Sequence, residues 1–418
     1  MRRPAMLCLV PALVTMAGLP LDAPTASAAP TFTVSIDQAM WAKWGFQYPA
    51  TYVFQVSDVS PDAGVRRRDS ATDAWTALAP RTADDFFSGV ECVRFDRAAN
   101  RAYVSVGFRT ANTIGLEFTG VGTAKFESIA RYYDGRKATY TLSNDNWGCN
   151  AWAHPGAPWK GPTDDASDNY QAALCVCRGL HLPLSIAINS RSAGGDACWR
   201  IMQQELDRGD MSWEPAVHGQ SHPKDAATYL VRGYKAEILG CRADILQRLH
   251  NIPFGGRVVE HILTTGYLDD TIQANDDGEF LFVRAFNWND NLTSTDYAPW
   301  NEKYHYYGPG GLSTKGYDKL LESRNPEGRF FAADVANLNG GFDAVYQAGG
   351  IFYALWHPDR FSNSVLYDRR PGIDGVQGST LMQHLAHVAN RKDVWYVANG
   401  WMYSYHYVAE HSKVTGGE

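Results

Sequence analysis

From about residue 138 the chain alternates between short apolar runs and amphipathic stretches, and this alternation limits its fold more than any other feature. The runs "FLFVRAF" (280–286), "GIFYALWH" (350–357) and "DVWYVAN" (393–399) are rich in aromatic and β-branched residues and too short for helices. Runs of this kind read as strands covered on both faces. Between the strands lie helical patterns. "CWRIMQQELDRGD" (198–210) places Trp199, Met202 and Leu206 on one face. "DAATYLVRGYKAEILGCRADILQRLH" (225–250) carries a stripe of Leu230, Tyr234, Ile238, Cys241, Ile245 and Leu249. Strand alternating with helix predicts an α/β fold with a largely parallel sheet or barrel.

The preceding stretch differs in texture. "TYVFQVSDV", "CVRFDR", "AYVSVGF" and "TIGLEFTGV" are short β-type segments punctuated by "SPDAG", "DRAAN" and "GVGT". This predicts a small antiparallel sandwich over residues 30–131, ahead of an α/β part over 132–418. It contains no catalytic constellation. The first 29 residues, with a basic start, an apolar run broken by Pro11 and "ASAA" at 26–29, read as a secretory signal peptide. An exported chain beginning near Pro30 is expected, with no segment apolar enough to span a membrane.

A formal net charge of −7 argues against nucleic acid as a partner. Six of the 7 cysteines follow the leader (Cys92, Cys149, Cys175, Cys177, Cys198, Cys241), and an even number in an exported chain predicts disulfides. Their spacings match no common zinc pattern.

In parallel α/β folds, functional groups collect at the C-terminal ends of strands. Three sets are expected there. Asp145 and Asn146 end "TYTLSNDNWG", His218 and His222 sit in "AVHGQSHP" after the segment "WEPAV", and His357 ends "FYALW". An isolated His-x-x-x-His pair is often incidental. This one lacks the glutamate of the metalloprotease motif, and Gly219 with the flanking prolines opposes a long helix. A short turn still brings both imidazoles to one side, where a divalent ion, most naturally zinc, takes neutral imidazoles plus a carboxylate. Trp147, Trp288 and Trp356 flank these motifs, where their faces either stack on sugar rings or fill core.

The order of these pieces resembles the NodB-type polysaccharide deacetylases over roughly residues 132–410. Glu214, His218, Ser221, His222 and Pro223 look like that family's histidine motif, and Leu355, Trp356 and His357 like its late Leu-x-His. The resemblance implies a distorted (β/α) barrel hydrolysing N-acetyl, or less readily O-acetyl, groups of an acetylated extracellular polysaccharide. By this likeness His218 and His222 hold a divalent metal, most naturally zinc, with Asn146 or water completing the set. Asp145 then serves as the general base and His357 as the general acid.

Two departures stand out. The first motif has one aspartate where the family has two. In one register Ser143 takes the threonine position, Asp145 is the base and Asn146 replaces the metal aspartate. In the other Asn144 takes the base position and Asp145 becomes the ligand. The first preserves a hydroxyl and is favoured. The second departure is the arginine that normally pairs with the base, which is missing from "VVEHILTTGYLDD" (258–270), where the resemblance still implies a groove-lining role for Tyr267. Glu260, His261, Asp269 and Asp270 are nearby candidates to compensate. His384 and His387, three apart on a helix, read as surface or helix-end residues. A degenerate, non-catalytic glycan binder is the first alternative; a glycosidase on a related barrel, which needs two facing carboxylates, is the second.

Overall fold

A computed structural model of the chain describes residues 29–45, 48–81, 89–147, 177–191, 196–221, 233–262, 269–284, 296–310, 332–356 and 380–417. The N-terminal part comprises β1 (Thr31–Ser35), helix α1 (Gln38–Trp44), β2 (Ala50–Ser57), β3 (Gly64–Arg68), β4 (Thr76–Ala77), β5 (Ala79–Pro80), β6 (Cys92–Asp96), β7 (Arg101–Val106), β8 (Thr113–Thr119) and β9 (Thr123–Ile129). The α/β part carries β10 (Ala138–Trp147), β11 (Leu184–Ile188), α2 (Asp196–Asp207), β12 (Trp213–Val217), α3 (Tyr234–Arg248), β13 (Glu260–Ile262), α4 (Asp269–Asp277) and β14 (Phe282–Arg284). It continues through β15 (Trp300–Asn301), β16 (Tyr306–Gly310), α5 (Ala332–Ala348), β17 (Ile351–Trp356), α6 (Thr380–Val388), β18 (Val394–Tyr396), α7 (Asn399–His411) and β19 (Lys413–Gly416).

The N-terminal strands form two sheets, ordered β19-β1-β8-β3-β4 and β5-β6-β7-β2-β9, antiparallel except for the β5–β6 pair. Residues alternate between exposed and buried along β1, and between half-buried and buried along β8, which turns Phe32, Val34, Ile114, Leu116 and Phe118 inward. Phe32 and Phe118 of the first sheet meet Phe54 of the second, with ring centroids 4.7 and 4.8 Å apart. Edge-to-face contacts of this kind add to the large apolar area that each ring buries. Among the described residues the last strand, β19, pairs antiparallel with the first, β1, so the stretch after α7 returns to the N-terminal sheet.

The third sheet runs β15-β16-β14-β13-β12-β11-β10-β17, with β18 also against β10, and all its pairs except β15–β16 are parallel. Its outward residues pack on the helices as expected. Trp199, Met202 and Leu206 of α2 and Tyr234, Ile238, Cys241 and Ile245 of α3 all join one apolar core with Leu142, Leu184, Ile186 and Ile188. The expected barrel is strongly curled rather than closed: among the described residues β17 and β15, at the two ends of the order, do not pair.

Helix α7 enters the concave side of this sheet at the N-terminal ends of the strands. Trp401, Met402, Tyr403 and Tyr405 are buried in the same core as Tyr48, Tyr133 and Trp395, which ties the α/β part to the N-terminal sheets. No described helix is long and apolar enough to cross a membrane. Cys92, Cys177 and Cys241 are buried free thiols, which corrects the disulfide expectation for these three. Apolar burial pushes their thiols up, Cys241 to about 11, and leaves them as small packing residues.

Candidate active site

Asp145, His218 and Arg284 come together where three parallel strands end. Asp145 lies near the end of β10, at a register shift between Asn144 and Trp147 where β10 advances three residues while β11 advances two. Such a bulge leaves an extra residue off the ladder and re-aims the side chains beside it. His218 follows β12 directly, its backbone N–H donating to the Ile188 carbonyl at 3.0 Å. Gly219, at φ 93°, then turns the chain through a conformation that glycine adopts at least cost.

His218 is buried, and its Nδ1 lies 2.8 Å from the carbonyl oxygen of Ile262, the last residue of β13. A carbonyl only accepts, so Nδ1 carries the proton, and in the neutral ring Nε2 is the acceptor nitrogen. Fixing a tautomer through a backbone carbonyl is the usual support for a metal-bound imidazole. Nε2 faces Asp145 Oδ2 at 4.0 Å. The other carboxylate oxygen, Oδ1, is buried with no hydrogen-bond partner among the described residues. Imidazole nitrogen and carboxylate oxygen are both donor types that divalent cations take, although Oδ2, the oxygen that faces the ring, is also the one held by Arg284.

Asp145 is ion-paired with Arg284: Nη2 lies 2.5 Å from Oδ2, and both side chains are 1% exposed. Sequence reasoning sought this arginine in 258–270 and missed it. It ends β14, inside the apolar run "FLFVRAF". β14 and β10 are four steps apart in the sheet order, roughly 19 Å if the sheet were flat. Only the curl of the sheet brings the two side chains into contact. A lone guanidinium in a buried strand was nonetheless a signal, because a buried charge needs a partner.

Other expected residues lie elsewhere. Glu214 and Glu260 are fully buried below this cluster, not beside it. Glu214 Oε1 accepts from Ser185 Oγ at 2.7 Å and from the Gly400 N–H at 2.6 Å, and Glu260 Oε1 accepts from Asn399 Nδ2 at 2.7 Å. Asn399 Oδ1 in turn accepts from Thr141 Oγ1 at 2.6 Å. Burial raises both carboxyls, Glu214 to about 7; Glu260 rises well above its ordinary 4.5, burial acting first and the charge of Glu214 second. Between this pair and the Asp145 cluster lies a small apolar layer of Ala187, Ala216 and Ile262. His261 sits against Asn275 Oδ1 at 2.5 Å, and burial lowers it to about 4, so neither Glu260 nor His261 compensates at Asp145. The helix-end reading fails for His384, which is fully buried among Tyr140, Phe342 and Phe352 and lowered to about 3 by burial. His387 pairs with Asp343 at 3.0 Å.

His222, Tyr267, Trp288 and His357 lie outside the described residues; for Asn146, Trp147 and Trp356 the backbone is described within strands, and for Asp269 and Asp270 within α4. Among the described residues, no three His, Cys, Asp or Glu side chains cluster as a metal site.

No family model and no curated protein sequence matches the chain. Among solved structures it is similar to PuuE allantoinase, at 13% identity and a TM-score of 0.45 over 68% of this chain and 92% of that one. A polysaccharide deacetylase structure from Mycobacterium smegmatis is 13% identical, with a TM-score of 0.44 over 69% and 94%. A family 4 acetyl xylan esterase from Clostridium thermocellum, in complex with a cobalt ion, is 11% identical, with a TM-score of 0.33 over 62% and 87%. Likeness at this distance leaves the chemistry to be argued from the side chains.

Proposed function

We propose that the chain is a divergent, exported NodB-type deacetylase that hydrolyses acetyl groups, chiefly N-acetyl, on an extracellular polysaccharide. One observation carries this reading: Asp145, held by Arg284, faces His218, whose tautomer is set for ligation. It supports the register in which Asp145 is the base and Asn146 stands at the second aspartate position, because the carboxylate of the base is the one that an arginine orients.

In this reading His218 and His222 hold a divalent ion, zinc by the chemistry of its donors, with Asn146 or water completing the set. The ion, when bound, polarises the acetyl carbonyl and lowers the pKa of the attacking water. Asp145 accepts that water's proton. Arg284 balances the charge of Asp145 and fixes its orientation. His357 donates a proton to the leaving amine. Trp147, Trp356 and Tyr267 line the sugar groove.

The test is acetate release from chitin oligomers, peptidoglycan, poly-N-acetylhexosamine and acetylated xylan, before and after chelation, with zinc or cobalt restored. The His218→Ala protein runs alongside. Release that both chelation and substitution abolish is the expected result. Zinc binding without release on any substrate overturns the catalytic reading in favour of a glycan-binding relative, which Asn146 in place of a second aspartate favours.

A further inference from the structure

Helix α3 lies beside the turn that carries His218, and two stripes of the helix do different things. Tyr234, Ile238, Cys241 and Ile245 join the apolar core. Glu237, Gly240, Cys241 and Asp244 fall at positions i, i+3, i+4 and i+7, on one side of the helix. All four meet the ends of β11 and β12 or the turns that follow them.

Glu237 carries the largest share of these contacts. It is fully buried, in the first turn of α3. Its Oε2 accepts from the Ser221 N–H at 2.8 Å, and its Oε1 accepts from the Ser221 hydroxyl at 2.9 Å. Its backbone carbonyl accepts from the Gln220 N–H at 3.1 Å. Gln220 is held twice more: its carbonyl accepts from the Arg191 N–H at 2.9 Å, and its Nε2 donates to Asp244 Oδ2 at 2.8 Å. Asp244 Oδ2 also accepts from Ser190 Oγ at 2.6 Å. Gly240 leaves room for the Gln220 amide, since a Cβ there would lie 2.6 Å from Gln220 Cδ. At the start of the turn the Ile188 carbonyl accepts from both the His218 N–H at 3.0 Å and Cys241 Sγ at 3.1 Å.

The turn needs such ties. Gly219, at φ 93°, allows many backbone conformations and imposes none, so the contacts on either side of it decide where the imidazole points. A buried carboxyl group is costly unless hydrogen bonds replace the water it has lost. Helix stability alone would be served as well by an exposed carboxylate in the first turn of α3. Here instead both oxygens accept from one residue of another segment, three positions after His218.

We infer that Glu237 is the positioning residue of this turn. By taking both donors of Ser221 it holds residues 218–221 in the conformation that keeps His218 Nδ1 on the Ile262 carbonyl and Nε2 toward Asp145. That the imidazole so held ligates a metal rests on the proposed function; that Glu237 holds it does not.

The test follows the Nδ1 proton of His218 in the full chain by nuclear magnetic resonance with isotope-labelled histidine, no metal added. Its signal is assigned by its loss in His218→Ala. Glu237→Leu keeps a buried side chain and removes both acceptors, and Ser221→Ala removes one donor. Glu237→Gln is the conservative variant, since its amide oxygen accepts from the Ser221 N–H and its NH2 donates to the hydroxyl. Ile245→Val loosens the core face of the same helix away from the turn. Exchange of the proton with water should be about tenfold faster in Glu237→Leu and also faster in Ser221→Ala, at a temperature where every variant is folded. Glu237→Gln and Ile245→Val should stay near the unmutated rate. In a second arm, calorimetry with zinc should show affinity about tenfold weaker in Glu237→Leu and restored in Glu237→Gln, as for other supports of a metal-bound imidazole. The inference is overturned if Glu237→Leu and Ser221→Ala leave the exchange unchanged, or if Ile245→Val speeds it equally. Should Glu237→Leu not fold, Ser221→Ala against Ile245→Val decides. If the unmutated chain binds no zinc while the exchange differences stand, the metal of the proposed function fails and the role of Glu237 holds.

Discussion

Replacing Arg284 with methionine should be among the most damaging single changes in the α/β part. The substitution keeps an unbranched side chain of similar reach and removes only the charge and the hydrogen bonds. It strands Asp145, whose side chain is 1% exposed, without its cation. Removing one partner of a buried pair typically costs about 3–5 kcal/mol, because the remaining charge stays desolvated. The double variant Asp145→Asn/Arg284→Met removes the stranded charge and should recover at least about 2 kcal/mol, a coupling typical of contacting residues. Urea unfolding of the four proteins at pH 7 reads the cycle through the shift in midpoint at constant slope. A cost below about 1 kcal/mol for Arg284→Met, or a double variant equal to the sum of the singles, would refute the ion pair as described. Under the proposed function both single variants also lose acetate release, and the double variant regains stability but not activity.

Gly400→Ala tests how α7 seats against the concave face of the sheet. A helical alanine normally gains up to about 1 kcal/mol over glycine, but here its Cβ would lie 2.7 Å from Glu214 Oε2 and 2.8 Å from Val259 Cγ2. A net loss of about 1–3 kcal/mol is expected by thermal unfolding, in line with other overpacked cores. The Glu214–Glu260 pair gives the stability a pH dependence of defined sign. Both carboxyls are raised, so between the unfolded value near 4.5 and about 7 the folded chain binds more protons than the unfolded one. The contribution of Glu214 is therefore complete below pH 4.5 and is lost as pH rises through about 7, where it ionises, and Glu260, raised well above its ordinary value, acts in the same direction. Urea midpoints should fall from pH 5 to pH 8, and Glu214→Gln should flatten that fall. Under the proposed function, His218→Ala should lose divalent-metal binding, measured by calorimetry with zinc at pH 7, while leaving α2 and α3 folded by far-ultraviolet circular dichroism.

Much of this architecture was readable in one dimension, because the signals are local. Period 3.6 in "CWRIMQQELD" and "YKAEILGCRADILQR" marks the faces that α2 and α3 bury. Apolar runs of strand length mark β14, β17 and β18. The rule that chemistry gathers at strand ends placed Asp145 and His218 in one neighbourhood, where the structure brings them to 4.0 Å. Arg284 was not found because its partner is 139 residues earlier and four strands away. Glu214, four residues before His218, reads in sequence as part of the same motif, and its place in space was not legible from that. In a strand of period two, however, it faces the same concave side two layers lower, against Ser185 and the start of α7.

The sequence by itself determined the types of element, their apolar faces and the strand ends where polar groups emerge, since propensity and periodicity act over a few residues. Only the tertiary structure decided which of those ends meet. The curl of the sheet sets Arg284 on Asp145, the return of β19 to β1 ties the stretch after α7 to the N-terminal sheet, and the seating of α7 buries two carboxyls beneath the site. These are distances between segments remote in sequence, fixed by how layers pack against one another rather than by any local preference of the chain.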